Sequence, residues 1–524
     1  MKEYESLDVR IAEVEGLLRN SDDQAIKTLY ENDPQRPLYH FAATGWMNDI
    51  NGLIYWKGRY HIFYQAYPFG AYWDNIMWGH ASSTDLVNWE IHPIILEPLP
   101  DSYDRQGVFS GHAFFDDNGS PMIIYFGKPD GVCLAVPEDI SDPLLLKWKR
   151  HPNNPVIPQP GPDHADYGKY KVFDPAKPWK DNGYWYTLSG NWFAYKSFDG
   201  EIEYNFDEGD ITYLFKSADL IHWEFVGPFY KSLRKWTIPK EDCAVPCFFA
   251  LQDKHVLLFA SHIFGTQYYT GVYNNNVFIP EYHDRISLPA ARTCGSIVSK
   301  IPDGRTIHIG WINEARDKKS QRAAGWSGVM SVPWELTLRE DGLLSTQPVS
   351  EILKLRKNRR TRKNIDLRPL EELNLEGFTG DVLELQLTID VGTSPLCGVK
   401  VRSSGDGLEE TGIYYDAVNK LIRVDLRRSS LDLGVEYQRF GIPEISPVVQ
   451  RTVALCEAPL ELGEGEKLQL DIFLDKSVIE IFANGRRTIN FRIYPILERS
   501  KGIALFSKDG EAKVESLTLW DMTP

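Results

Sequence analysis

Hydrophobic positions recur along this chain with two different periods, and the change from one to the other divides it. Near the start, Leu7, Ile11, Val14 and Leu18 are spaced by four, three and four residues, which puts them on one face of a helix. A second short helix is predicted from Asp23 to Tyr30. It ends near Asp33-Pro34, because the residue ahead of a proline is pushed out of the helical region. This helical arm, residues 1–35, is expected to pack on its own chain; a homo-oligomer formed through the N-terminal helix is the alternative. From Phe41 to about Leu355 the pattern becomes short aromatic and β-branched runs broken by Gly, Pro, Asn and Asp, which predicts strands. Examples are 54–56 (IYW), 60–64 (YHIFY), 123–126 (IIYF), 184–188 (YWYTL), 256–259 (VLLF) and 307–311 (IHIGW).

One phrase recurs. Ser83-Thr84-Asp85-Leu86-Val87-Asn88-Trp89-Glu90 returns as Ser217-Ala218-Asp219-Leu220-Ile221-His222-Trp223-Glu224, and more faintly in the stretch from Asp142 to Trp148. Trp89, Trp148 and Trp223 stand 59 and 75 residues apart, a period that suits a repeated four-stranded unit with loops. Roughly 310 residues at that period predict a five-bladed β-propeller, residues 36–355, whose innermost strands bring distant acidic residues to one axial funnel. Near Leu355 the chain turns basic (KLRKNRRTRKN), which reads as a solvated linker. Alternation then resumes at 382–387 and 468–474, and alternation of that kind predicts antiparallel sheets with one dry face. Residues 356–524 are therefore expected to form a β-sandwich, and the whole chain is all-β apart from its helical arm.

At 524 residues, with 43% hydrophobic and 25% charged positions, the chain can bury a large core but is long for one domain. Its formal charge of −16, with no aromatic-interleaved basic patch, makes nucleic acid and anionic membrane poor partners. No run of roughly 18 apolar residues is present. The start, MKEYESLDVR, lacks a secretory pattern, so the chain reads as cytoplasmic, or as secreted if a leader was removed. Six scattered cysteines do not resemble a disulfide framework. Cys243 and Cys247 have the spacing of half a metal site, but no second pair accompanies them, so buried thiols are expected and no metal. Aromatics at 13% change the picture most. Flat rings suit the apolar faces of sugars, although an aromatic-rich β core explains them about as well.

Three windows place acids in unusual contexts. In Trp46-Met47-Asn48-Asp49-Ile50-Asn51-Gly52 an acid lies between aromatic and apolar residues and a turn-forming Asn-Gly. In Lys171-Val172-Phe173-Asp174-Pro175 an aspartate ends an apolar run. In 239–249 (PKEDCAVPCFF) the pair Glu241-Asp242 enters an apolar stretch, where burial raises a carboxyl pKa as a general acid requires. Taken alone, the first window reads more readily as ordinary turn chemistry, the second is a weak signal, and the third also reads as a solvated acidic pair in a loop.

Together they resemble glycoside hydrolase family 32, the invertases, levanases, inulinases and related fructosyltransferases. The first window is similar to that family's WMNDPNG signature. Phe63-Tyr64-Gln65, Trp78-Gly79-His80-Ala81 and Phe109-Ser110-Gly111 follow in the family's order, and 474–485 (LDKSVIEIFANG) resembles the hallmark of its C-terminal sandwich. The resemblance implies a retaining mechanism with Asp49 as nucleophile, Asp174 as transition-state stabiliser and Glu241 as acid/base, Asp242 being the alternative. It also implies a fructose pocket lined by Asn48, Gln65, Trp73, Trp78, Phe109 and Ser110, and no cofactor. Three departures stand out. Ile50 replaces a proline, Phe173 stands where the family has the arginine of its RDP motif, and EDCAVPCFF replaces ECPDFF. The expected activity is β-fructofuranosidase action on levan, inulin, sucrose or related oligosaccharides. A fructosyltransferase, including one that closes a difructose dianhydride, and a fructan-binding protein without catalysis are the competing readings.

Overall fold

A computed structural model of the chain describes residues 7–191, 210–237, 243–261, 265–287, 293–435 and 454–524, with only the backbone for 293–296. Two helices, Leu7–Arg19 and Asp23–Glu31, open it. Ile11, Val14 and Leu18 are buried as their spacing predicts, whereas Leu7, at the first helical position, is exposed. Asp22 caps the second helix by accepting from Ala25 N (3.0 Å), which satisfies one of the unpaired N–H groups of a helix start. The arm packs on its own chain against the helix Lys318–Ala324, where Arg322 pairs with Glu15 (2.6 Å) and Lys319 with Asp8 (3.0 Å).

Five antiparallel sheets follow. Blade one comprises Gly45–Trp56, Arg59–Tyr67, Met77–Ser83 and Glu90–Leu96, blade two Val108–Phe115, Pro121–Gly127, Gly131–Pro137 and Trp148–Arg150. Blade three comprises Trp179–Asp181, Tyr184–Ser189, Ile211–Ser217 and Trp223–Lys231. Blade four comprises Ala244–Leu251, Lys254–Ser261, Gly265–Asn274 and Val277–Arg285, and blade five Thr293–Lys300, Thr306–Ile312, Trp334–Leu338 and Leu344–Pro348. The first strand of blade one lies against those of blades two and five, and Trp326–Ser327, from within blade five's stretch, pairs in parallel with Gly45 and Trp46. That pairing ties the last blade to the first.

The recurring phrase is the turn between third and fourth strands in blades one, two and three. Asp85 Oδ1 accepts from the N–H groups of Val87 (3.1 Å) and Asn88 (2.9 Å), and Asp219 Oδ1 from those of Ile221 (2.9 Å) and His222 (2.8 Å). Asp142 does the same for Leu144 and Leu146. Such aspartates replace backbone turn bonds with side-chain ones. A leucine within the turn carries a positive φ each time: Leu86 at 65°, Leu145 at 50° and Leu220 at 69°. A positive φ costs a leucine of order 1 kcal/mol, and burial of all three side chains between strands offsets it.

Two six-stranded sheets complete the chain. Leu383, Leu385, Leu387 and Ile389 of the strand Val382–Asp390 and Leu470, Ile472 and Leu474 of its partner Leu468–Asp475 point into one fully apolar layer. The basic run is not a linker. It forms the strand Arg356–Leu367, bonded on one side only to Ala512–Met522, and its exposed Lys and Arg side chains shield an edge that would otherwise invite another strand. The sandwich meets the propeller through two acids of the 474–485 motif. Asp475 accepts from the N–H groups of Leu38 (2.7 Å), Tyr39 (2.8 Å) and His40 (2.8 Å) and pairs with His40 Nδ1 (3.0 Å). Glu480 takes His40 Nε2 (3.0 Å), Val332 N (2.7 Å) and Trp334 Nε1 (3.0 Å). Burial pulls the His40 pKa down, but bonds to the two carboxylates outweigh it and raise the value to about 9.

Other buried histidines are held neutral, and burial takes His80 well below its ordinary value. Burial lowers His61 and His283 to about 4, and His112 and His308 to about 3. A folded pKa below the unfolded value of about 6.5 means that the unfolded chain takes up protons first as pH falls. These groups therefore contribute stability above pH 6.5 that is lost progressively toward pH 4. Urea unfolding is expected to give a lower midpoint at pH 5 than at pH 7; an equal or higher midpoint at pH 5 contradicts this.

Candidate active site

Asp49 lies in the strand Gly45–Trp56, the innermost of blade one. The expected Asn51-Gly52 turn is absent: the strand runs straight through it, with register shifts between Met47 and Ile50 and again between Ile50 and Gly52. Such bulges re-aim side chains without ending the strand. Gly52 is needed for a different reason, since a Cβ there would sit 2.6 Å from Ala113 N and 2.7 Å from its Cβ. The inner strands of blades one and two can approach this closely only at a residue without a side chain.

The close approach brings Ser110 of blade two to Asp49, and the hydroxyl donates to Asp49 Oδ2 (2.7 Å). Asn51, fully buried, organises the floor. In the amide orientation that gives both its ends a partner, it donates to Ser110 Oγ (3.2 Å) and accepts from Trp78 Nε1 (3.2 Å) and Gln65 N (3.3 Å). Asn48 accepts from Trp46 Nε1 (2.8 Å) and donates to Gln65 Oε1 (2.6 Å). Each polar group beside Asp49 is thus held by another, as a preorganised site requires.

The aromatic candidates divide. Trp73 is 50% exposed and meets the Phe109 ring edge to face at 5.8 Å, so the pair forms a wall open to solvent. Trp78, expected to line the pocket, is 0% exposed, and its one N–H is shared between Phe109 O (2.8 Å) and the Asn51 amide oxygen (3.2 Å). It supports the floor from beneath, because an indole with no accessible surface touches no ligand. From Phe109 a chain of rings runs through Phe126 (5.9 Å) to Phe173 (5.6 Å).

Asp174, next to Phe173, is 3% exposed. Pro175 bridges to Ser189, Ser189 Oγ accepts from Phe173 N (2.9 Å), and Gly190 N donates to Asp174 O (3.0 Å). A Cβ on Gly190 would fall 2.6 Å from Cys243 O, so the chain leading into blade four passes against the Asp174 segment. Cys243 and Val245 there have φ of 52° and 48°, a conformation that costs a β-branched valine dearly and clusters at functional sites. Glu241 and its alternative Asp242 lie outside the described residues. Cys243 and Cys247 are buried; the Cys247 thiol, 3.8 Å from His112 Nε2, is pushed up to about 12 by burial. Among the described residues no group of three or more His, Cys, Asp or Glu is placed to hold a metal.

Two contributors were not visible in the sequence. Asn51 reads as half of a turn dipeptide, and only its burial reveals the amide network. Lys128 reads as a surface lysine ahead of a proline, yet its Nζ lies 4.7 Å from the Phe109 ring centroid and it feels the Asp174 charge.

Residues 40–348 match the model of the glycosyl hydrolases family 32 N-terminal domain, and residues 351–521 that of the family 32 C terminal. A sucrose-6-phosphate hydrolase of Zymomonas mobilis is 30% identical, over 93% of this chain and 92% of its own length. A levanase of Bacillus subtilis is 29% identical, over 96% of this chain and 73% of its own. Among solved structures, fructan 1-exohydrolase IIa from Cichorium intybus superposes with a TM-score of 0.78 at 23% identity, covering 94% of this chain and 98% of that one.

Proposed function

The chain belongs to glycoside hydrolase family 32, and on that premise we propose that it is a retaining β-fructofuranosidase with Asp49 as nucleophile, acting on fructans or sucrose-type fructosides. The observation that carries the reading is the setting of Asp49. This half-buried carboxylate sits on a bulged inner strand, pinned by Ser110, and flanked by the Asn48–Gln65 amides and the Trp73–Phe109 wall.

In the first step a bond from the Asp49 carboxylate to the anomeric carbon forms as the bond to the leaving oxygen breaks, and that oxygen takes a proton from Glu241. In the second, Glu241 takes a proton from water while the water oxygen bonds the anomeric carbon and the Asp49 ester opens. Asp174 holds ring hydroxyls and opposes the positive charge that develops on the sugar. Asp242 is the alternative proton donor. The relatives named for sucrose-6-phosphate and levan support a terminal fructosyl unit as the common substrate element.

Incubation of the purified protein with levan, inulin and sucrose, with every product identified by chromatography, tests this. Free fructose is expected. A fructosylated oligomer or a cyclic dianhydride assigns the same site to transfer, and no release from any of the three contradicts the reading.

A further inference from the structure

The sandwich carries a hollow of about 430 Å³ that the reaction above does not use. It lies on the six-stranded sheet that holds Leu396–Ser403, Glu410–Asp416, Leu421–Arg428 and Gly502–Lys508. Phe473 and Phe482, which share an apolar cluster with Trp334 and Leu336 of the propeller, belong to the other sheet. Alternation along the strands sets the floor. Val399, Ile413, Val424 and Leu505 enter the sandwich core, so Gly398, Lys400, Gly412, Tyr414, Asp425 and Phe506 fall on the outer side. Gly398 is the cross-strand partner of both Tyr414 and Phe506. A Cβ there would fall 2.7 Å from Tyr414 Cβ, so only a residue without a side chain lets the two half-buried rings meet over it, edge to face at 6.0 Å.

Gly412 deepens the hollow beside the rings, between its partners Lys400 and Asp425. The Lys400 ammonium is held by Glu372 (2.5 Å) and Glu410 (3.0 Å), Arg428 also pairs with Glu410, and Asp425 pairs with Arg427 (2.5 Å). Among the described residues, three Lys and Arg side chains line the hollow against four Asp and Glu. Charges so nearly balanced, and tied to one another, present donors and acceptors at fixed positions without a field that would gather an ion. That disfavours phosphates and charged peptides. An uncharged chain of hydroxyls with apolar C–H faces fits, because the rings take the faces and the paired charges take the hydroxyls.

We propose that this hollow is a second sugar site, which binds a short stretch of a fructan chain away from the Asp49 pocket and keeps the polymer on the enzyme between cleavages. The choice of fructan rests on the fructosidase reading; the choice of an uncharged polyhydroxyl chain rests on the hollow itself. A chain held at one site meets the other at a raised effective concentration, so the hollow serves polymers and is idle with sucrose.

The test uses Tyr414→Ala, Tyr414→Phe and Gly412→Gln, each checked for an unchanged unfolding midpoint. Gly412→Gln fills the hollow and removes nothing, since a Cβ on Gly412 would sit 3.6 Å from Asp425 Cβ and 3.7 Å from the Tyr414 ring, ordinary contact distances. Binding is read as retardation in native gels containing levan, inulin or soluble starch, in an Asp49→Asn background so that the polymer stays whole. Tyr414→Ala and Gly412→Gln are expected to bind levan or inulin roughly tenfold more weakly, the scale of a lost aromatic contact, while Tyr414→Phe binds as before. With Asp49 restored, KM on the polymer rises by a similar factor, and kcat and sucrose kinetics stay unchanged. Cleavage by wild type with retardation equal in all variants, absent, or given by starch alone overturns the inference and leaves the fructosidase reading standing. Fructan retardation that depends on Tyr414, in a protein that cleaves no fructoside, keeps the site and removes that reading.

Discussion

Replacing Asp49 by asparagine lowers kcat by about 10⁴-fold or more, equivalent to ~5 kcal/mol of barrier, with no change in the unfolding midpoint. The amide is the same size as the carboxylate, and its oxygen can still accept from Ser110 Oγ, the bond that pins Asp49 at 2.7 Å. The Asn48–Gln65 pair and the Asn51 network, which hold the strand's bulges, lose nothing. What disappears is the negative charge that attacks the anomeric carbon and opposes its developing positive charge. Initial rates on the substrate the wild type cleaves, paired with denaturation curves, check both halves. Activity within tenfold of wild type would take the nucleophile's role away from Asp49.

The second large effect lies far from the pocket. Asp475→Ala is expected to cost about 3–5 kcal/mol, the range for breaking a buried ion pair on one side. The alanine leaves the N–H groups of Leu38, Tyr39 and His40 without their acceptor and strips the buried His40 imidazolium of one of two carboxylates, with Tyr39, His40 and Asp475 all buried. The pH dependence gives a signature that lost packing does not. His40 has a folded pKa of about 9, above its unfolded value of about 6.5. Its contribution is fully present below pH 6.5 and is lost as pH rises to 9. Urea unfolding across that interval is expected to show wild type losing stability steadily and Asp475→Ala losing much less; parallel slopes contradict the assignment.

The sequence made some of this legible because the chemistry involved is local. The recurring phrase around Asp85 and Asp219 reports a turn that an aspartate closes on N–H groups two and three residues ahead, so each copy carries its whole signal. The helix face of Ile11, Val14 and Leu18 is equally self-contained. Where readings failed, the deciding partner lay elsewhere in the chain. Asn51-Gly52 has the composition of a turn, and only Ala113 of the neighbouring blade shows that the glycine serves a close approach. The run 356–367 has the composition of a linker, but its charges decorate a sheet edge made by Ala512–Met522. Trp78 belongs to a binding-site motif, yet it acts through the Phe109 carbonyl and the Asn51 amide rather than on a ligand. The 474–485 motif marks a family in sequence, and its acids turn out to fasten the sandwich to the segment that leads into the propeller.

The most direct test of the account is to find where the sugar is held in mid-reaction. Wild-type protein turning over its fructoside, quenched in acid within milliseconds and digested, is mapped by mass spectrometry for a fructosyl ester. The ester is expected on the peptide carrying Asp49, with Asp174 unmodified. An ester on Asp174 or on any other carboxylate, with Asp49 bare, would contradict it.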